Sequence, residues 1–252
     1  MRLLTLARDL RRRKARETRG LFTIEGTRAV EELLASDLRI HGAIHHFGYG
    51  DSEREQGVLS RLRELGVETI RVREEDLKSA SDTEQPQGIV AIAQTPRFSL
   101  ADLPEQKVGR WLVLDAIQDP GNVGTILRSA AAFGVRAVVT LPGTVDVWNA
   151  KVVRSSMGAS FRLPVVAANN VELARFLSER SIPLWAADAD GESVSGADAP
   201  ERLAMAVGNE GAGISDELLQ LAERRVAIPI EATVESLNVA VATGILLFIL
   251  RP

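Results

Sequence analysis

Three short stretches hold the polar residues on which chemistry could rest. The first, DPGNVGTILRSAAAFGV, opens with the turn sequence Asp119-Pro120-Gly121-Asn122 and carries Arg128 six residues after Asn122. A helix starting near residue 123 puts Arg128 about one turn in, leaning back toward the loop. An amide and a cation so placed resemble an anion site, although a capped helix with a surface arginine would read the same way. The second, VGNEGAGIS, sets the carboxylate of Glu210 in a glycine-rich loop that is either a flexible turn or a wrapping for a flat ligand. The third, IPIEATVESLNVAV, places Thr233, Glu235, Ser236 and Asn238 in a polar loop. An apolar strand (226–230) precedes that loop and a nearly unbroken apolar run (239–250) follows it. Such a loop binds or reacts with something, or it only caps the helix, with Ser236 as N-cap.

Several chemistries are excluded at once. The chain has no cysteine, so disulfides, thiolate nucleophiles and cysteine–zinc sites are impossible. Its three histidines, His41, His45 and His46, share one early stretch with no acid at ligand spacing, so no metal site is expected. With no later histidine and no G-x-S-x-G, a Ser-His-Asp triad is ruled out. The glycines of residues 208–213 run G-x-x-G-x-G, not G-x-G-x-x-G, and no G-x-x-x-x-G-K-[ST] occurs. Dinucleotide fingerprints and P-loops therefore do not apply.

The elements that must position these loops alternate. Strands are expected at 111–117, 137–141, around PLWAADA, at 203–208 and at 226–230. Helices are expected at 123–133, 148–159, 171–180, 216–225 and 239–250. Alternation of this kind builds an α/β domain with a mostly parallel sheet, whose ligands lie off the carboxyl ends of the strands. The loops after Ile117, Leu141, Val207 and Ile230 are the ones to inspect. NAKVVRSSMGASFRLPV presents Lys151, Arg154, Ser155 and Ser156 at helical spacing, which a helix surface explains. Ahead of residue 95, strands at 21–24, 41–47, 67–72 and 88–93, with helices after Thr27 and at 52–65, form a small α/β unit. The stretch TPRFSLADLPEQKVGR has two prolines and no period, which marks a boundary. The expected division is a domain at 1–95, a linker at 96–109 and a domain at 110–252.

Of 252 residues, 45% are hydrophobic and 25% charged, the composition of a globular protein with a sizeable core. No secretory signal is evident and the longest apolar run is too short to span a bilayer, so a cytoplasmic protein is expected. Residues 1–28 carry nine basic and three acidic side chains, a net of +6 that leaves −10 for the rest of a −4 chain. A cationic arm on an acidic protein points to a polyanionic partner, or to a solvated helix face. Arginine outnumbers lysine 26 to 4, and forked guanidinium groups suit phosphate.

Taken together, in this order and spacing, DPGNVGTILRSAAAFGV, VGNEGAGIS and IPIEATVESLNVAVATGILLF resemble the three signature motifs of the SpoU/TrmH family. These are S-adenosylmethionine-dependent RNA ribose 2′-O-methyltransferases of the knotted SPOUT superfamily. KVVRSSMGASFRLPV resembles the segment between the first two motifs. RGLFTIEG, RAVEELL and SDTEQPQGIVAIA resemble the family's N-terminal substrate-binding domain, which is similar to RNA-binding ribosomal proteins.

The resemblance implies a C-terminal domain tied in a deep trefoil knot, a homodimer, and S-adenosylmethionine as the cofactor, with no metal. Carried over by position, it implies a catalytic set of Asn122, Arg128, Glu210, Ser236 and Asn238. It implies cofactor contacts at Thr140, Leu141, Gly208, Asn209, Gly213, Ile228, Pro229 and Leu237, chiefly through the main chain. RNA would meet Arg11, Arg12, Arg13 and Arg19 of the arm, together with Arg154. Family proposals make the arginine the general base, but a guanidinium stays protonated in proteins. Arg128 is better read as a clamp on the neighbouring phosphate, with Glu210 or a water taking the proton. Ribosomal RNA is the expected substrate. Transfer RNA is the alternative within this class, and a non-catalytic RNA-binding protein on the same fold the alternative outside it.

Overall fold

The computed structural model describes residues 2–231 and 233–252, and the chain divides into two compact units. The first holds residues 2–96 and 146–162, the second residues 97–145 and 163–252.

In the first unit the order is α1 (Arg2–Leu10), α2 (Arg13–Arg19), β1 (Leu21–Glu25), α3 (Thr27–Leu34), β2 (Ile40–His46), α4 (Glu53–Glu64), β3 (Thr69–Val72), α5 (Glu74–Ala80) and β4 (Ile89–Gln94). The four strands pair in the order β1-β4-β2-β3, antiparallel except for β2 with β3. Alternate side chains of β1, β2 and β4 feed two cores, as the two-residue period of a strand requires. Phe22, Ala43, Ile89 and Ala91 pack with Val30, Leu33, Val58 and Leu62. Ile44, Val90 and Ile92 pack with Leu3, Leu4, Ala7 and Leu10 of α1 and with Leu77 and Ala80 of α5. The basic arm is thus an amphipathic helix that covers one face of the sheet.

Residues 146–162, expected in the second domain, belong to this first unit. Trp148 lies 4.6 Å from Phe22, ring centroid to centroid, and Phe161 lies 6.1 Å from it. Asp146 Oδ2 accepts from Arg16 Nη2 and Nε at 2.6 and 2.8 Å. Arg162 Nη1 donates to Glu32 at 2.8 Å.

The second unit contains β5 (Gly109–Leu114), α6 (Pro120–Ala132) and β6 (Ala137–Thr140). The helix α7 (Ala150–Ser155) intervenes within the segment given to the first unit. The second unit resumes with β7 (Val165–Ala167), α8 (Asn170–Glu179), β8 (Leu184–Ser193), β9 (Arg202–Val207), α9 (Asp216–Leu221), β10 (Arg224–Ala227) and α10 (Val239–Ile249). Its six strands run in the order β10-β8-β9-β5-β6-β7, all parallel, as the alternation predicts.

Several boundaries differ from expectation, β5, α7 and α9 among them, and β7 was not expected; at three places near the loops the reason is local. Helix α6 begins at Pro120, because Asp119 Oδ1 caps it by accepting from Asn122 N at 2.8 Å and proline is at home in the first turn. Strand β10 stops at Ala227, short of 230, and Pro229 has no N–H to offer a ladder. Asn238, not Ser236, caps α10: its Oδ1 accepts from Ala240 N at 2.9 Å and Val241 N at 3.3 Å. No helix among the described residues is long and apolar enough to cross a membrane.

Candidate active site

Strands β5 and β9 lie side by side and end in register, Leu114 opposite Val207. The loops that follow therefore leave the same carboxyl edge and bond to each other. Asp115, buried, accepts from Ser215 N at 2.7 Å. Ala116 holds a φ of 54°, a conformation alanine adopts at a cost, and its carbonyl accepts from Asn209 Nδ2 at 2.9 Å. Asn209 Oδ1 then accepts from Gly211 N and Ala212 N at 2.9 and 3.0 Å. Asn209 and Gly213 exchange both backbone hydrogen bonds at 2.9 Å. The glycine-rich loop is therefore a pinned ring. A Cβ on Gly208 would overlap the backbone of Gly213 and Ile214, so that position takes glycine for close approach.

Beside this ring opens a cleft of about 870 Å³, within the size range of small-molecule sites. Gly208, Asn209, Gly213, Ile228 and Leu237 line it, as do Glu210, Ser236 and Asn238. Three residues expected to hold a cofactor do not line it. Leu141 is buried in the core and its N–H donates to the Leu114 carbonyl at 2.9 Å, Thr140 ends β6, and Pro229 faces solvent. Sequence reasoning missed Asp188 and Asp216, which do line the cleft. The signal for Asp188 was the acid-alternating end of LWAADAD, where an apolar strand turns polar.

At the cleft three expected residues join in one hydrogen-bonded chain. The cap of α10 occupies Asn238 Oδ1, which leaves its Nδ2 to donate to Asn122 Oδ1 at 3.0 Å. That turns Asn122 Nδ2 toward Glu210, to which it donates at 2.7 Å. Helix backbone amides thus fix the orientation of both asparagine side chains and aim the last donor at a carboxylate. The amino ends of α6 and α10 meet here, a setting that favours negative charge. Arg128 stands apart from this chain: it lies two turns into α6, is exposed, and has no hydrogen-bond or ion-pair partner among the described residues.

The arginines expected to meet RNA are less free than the sequence implies. Arg13 reaches Glu17 at 2.7 Å, Arg19 reaches Asp9 at 2.9 Å, and Arg11 reaches Asp82 at 3.0 Å. Arg12 also pairs with Asp9. Arg154 is half-buried on α7, with an Nη1 that meets no acceptor among the described residues.

A parallel six-stranded sheet with pinned loops and a ligand cleft at its carboxyl edge defines an α/β enzyme domain that takes a small-molecule ligand. Residues 109–248 match the SpoU rRNA methylase family, and residues 5–91 match the MRM3-like substrate binding domain. The chain belongs to the SpoU rRNA methylase family. It is 36% identical to the 23S rRNA (guanosine(2553)-2′-O)-methyltransferase RlmP of Bacillus subtilis, over 97% of this chain and 94% of that protein. The AdoMet complex of the SpoU methyltransferase AviRb from Streptomyces viridochromogenes superposes with a TM-score of 0.90 at 26% identity, covering 98% of this chain and 96% of that one. An AdoMet-bound rRNA methyltransferase from Sinorhizobium meliloti gives 0.88 at 27% identity, covering 99% and 94%.

Proposed function

We propose that this protein methylates a ribose 2′-hydroxyl of ribosomal RNA with S-adenosylmethionine, as a cytoplasmic homodimer. The observation that carries the reading is the chain from the α10 amides through Asn238 and Asn122 to Glu210, at the mouth of the cleft. The lining chemistry fits the cofactor. Asp188, Glu210, Asp216 and Glu235 line the cleft and no lysine, arginine or histidine does, which suits a ligand of net positive charge. Ile228, Leu237 and Leu246 offer apolar contact to its uncharged parts.

When bound, the cofactor supplies an electrophilic methyl group. The residues of this chain then have two tasks, to place a ribose oxygen and to take its proton as the new bond forms. Glu210, held by Asn122, accepts the proton, directly or through a water. Arg128, unpaired and always charged, grips the phosphate next to the reacting ribose and stabilises developing negative charge. Gly208, Asn209, Gly213, Ile228 and Leu237 hold the cofactor, with Ser236 beside them. The order of the parallel strands supports the knot that the resemblance implies, with 226–250 as its last threaded piece.

The test is methyl transfer to ribosomal RNA in vitro across pH, with mapping of the modified ribose. Glu210→Gln should lower kcat by about 10²-fold. Arg128→Lys should keep the profile and raise KM for RNA. Full activity of Glu210→Gln beside an inactive Arg128→Lys would reverse these roles. Methylation of transfer RNA alone would remove the substrate assignment.

A further inference from the structure

At the amino ends of the second unit's strands, away from the cleft, lies a recess of about 170 Å³ that shares no residue with the cleft. That is several times the roughly 30 Å³ share of one water molecule. Three departures from local rules converge on it. Trp111 of β5 is 2% exposed, and its Nε1, a group that can only donate, meets no acceptor among the described residues. Arg180, just past α8, has a buried Nη1 in the same condition. Its guanidinium lies 4.8 Å from the centre of the Phe176 ring, which fixes it in place. Ser181 holds a φ of 48° where a helix end usually takes glycine. Buried polar groups are normally satisfied, and backbone strain gathers at functional sites.

The missing partner has a definite chemistry. Trp111 and Arg180, each with a buried donor that meets no acceptor among the described residues, line one small space together with Arg202 and Gln106. A ligand that satisfies these groups accepts several hydrogen bonds, and negative charge on it suits the two guanidinium groups. Glu105 and Glu179 also line the recess, but both are exposed, and Glu179 Oε1 lies 3.5 Å from Arg175 Nε. We propose that this recess binds a small oxyanion of the phosphate class, with Trp111 Nε1 and Arg180 Nη1 as its donors and Arg202 as its second cation.

The chain has three tryptophans, at 111, 148 and 185, so an amide correlation spectrum of the full-length protein shows three indole signals. Inorganic phosphate is titrated at constant ionic strength, and Trp111→Phe identifies the signal that belongs to the recess. The Trp111 signal should move and saturate while those of Trp148 and Trp185 stay fixed. Arg180→Gln or Arg202→Gln, each with all tryptophans intact, should raise the apparent Kd at least about tenfold, the loss expected of a charge-assisted bond. Arg175→Gln should leave it unchanged. A Trp111 signal that does not move overturns the proposal and leaves the donors to water. So does a common linear drift of all three signals, or a binding curve that Arg180→Gln leaves intact.

Discussion

At the scale of single residues, the site depends on the direction in which two amides point. The α10 backbone donates to Asn238 Oδ1, which commits Asn238 Nδ2 to Asn122 and, in turn, Asn122 Nδ2 to Glu210. Asn238 therefore has two separable duties, capping a helix and positioning a catalytic neighbour. Asn238→Ala should lose both: about 1 kcal/mol of stability from the missing cap, and activity on the order of 10²-fold. Asn238→Ser keeps an oxygen for the cap but has no amide to donate, so its melting temperature should return while kcat stays low. Full activity in the serine variant would show that the link to Asn122 is dispensable. The residue types were legible in the sequence, since a lone amide, a carboxylate in a glycine loop and a polar loop before an apolar run each stood out. Their bonding was not legible, because Asn122 and Glu210 are 88 positions apart and only the β5–β9 register brings their loops together. The error over Ser236 was local: Ser236 and Asn238 are both good caps, and only the observed start of α10 chooses between them.

At the scale of elements, the parallel alternation was readable from hydrophobic runs, yet the ownership of residues 146–162 was not. An apolar stripe states that a helix covers something without saying which sheet. What holds this segment to the first unit is partly Trp148 against Phe22 and partly the Arg16–Asp146 pair, whose side chains are 6% and 15% exposed. Arg16 also donates to the Leu10 and Arg11 carbonyls at 2.9 Å, so it is committed to the interior even without its carboxylate. Asp146→Ala should therefore leave a buried, unpaired charge and cost about 3 kcal/mol in urea unfolding. Replacing both partners, Arg16→Met with Asp146→Leu, should recover much of that loss. If Asp146→Ala unfolds at the wild-type urea concentration, the pair does not anchor the segment.

At the scale of the whole molecule, the charge pattern and the last helix carry different weights than the sequence alone assigned them. The arm's +6 remains, but Arg8, Arg11, Arg12, Arg13, Arg16 and Arg19 are each paired with a carboxylate, so fewer cations are free to displace counterions from RNA. Within one chain, α10 buries Ala240, Thr243, Leu246 and Leu247, one face at helical spacing, and leaves Val241, Phe248 and Ile249 exposed at 53%, 51% and 39%. Phe248 touches Phe133 edge-on at 6.0 Å, and the Arg251 guanidinium lies 4.5 Å from its ring centre, which extends the patch. An apolar strip of this kind costs free energy in water, and the proposed homodimer would cover it with a second copy of the chain. In the proposed homodimer, Val241→Glu with Phe248→Glu would place charges in that contact. Those side chains already face solvent, so the variant should keep its fold and its melting temperature to within a few degrees. Sedimentation should then give about twice the monomer mass for the wild type and the monomer mass for the variant. A wild type that sediments as a monomer at micromolar concentration, or a variant that remains a dimer, removes this face from the interface.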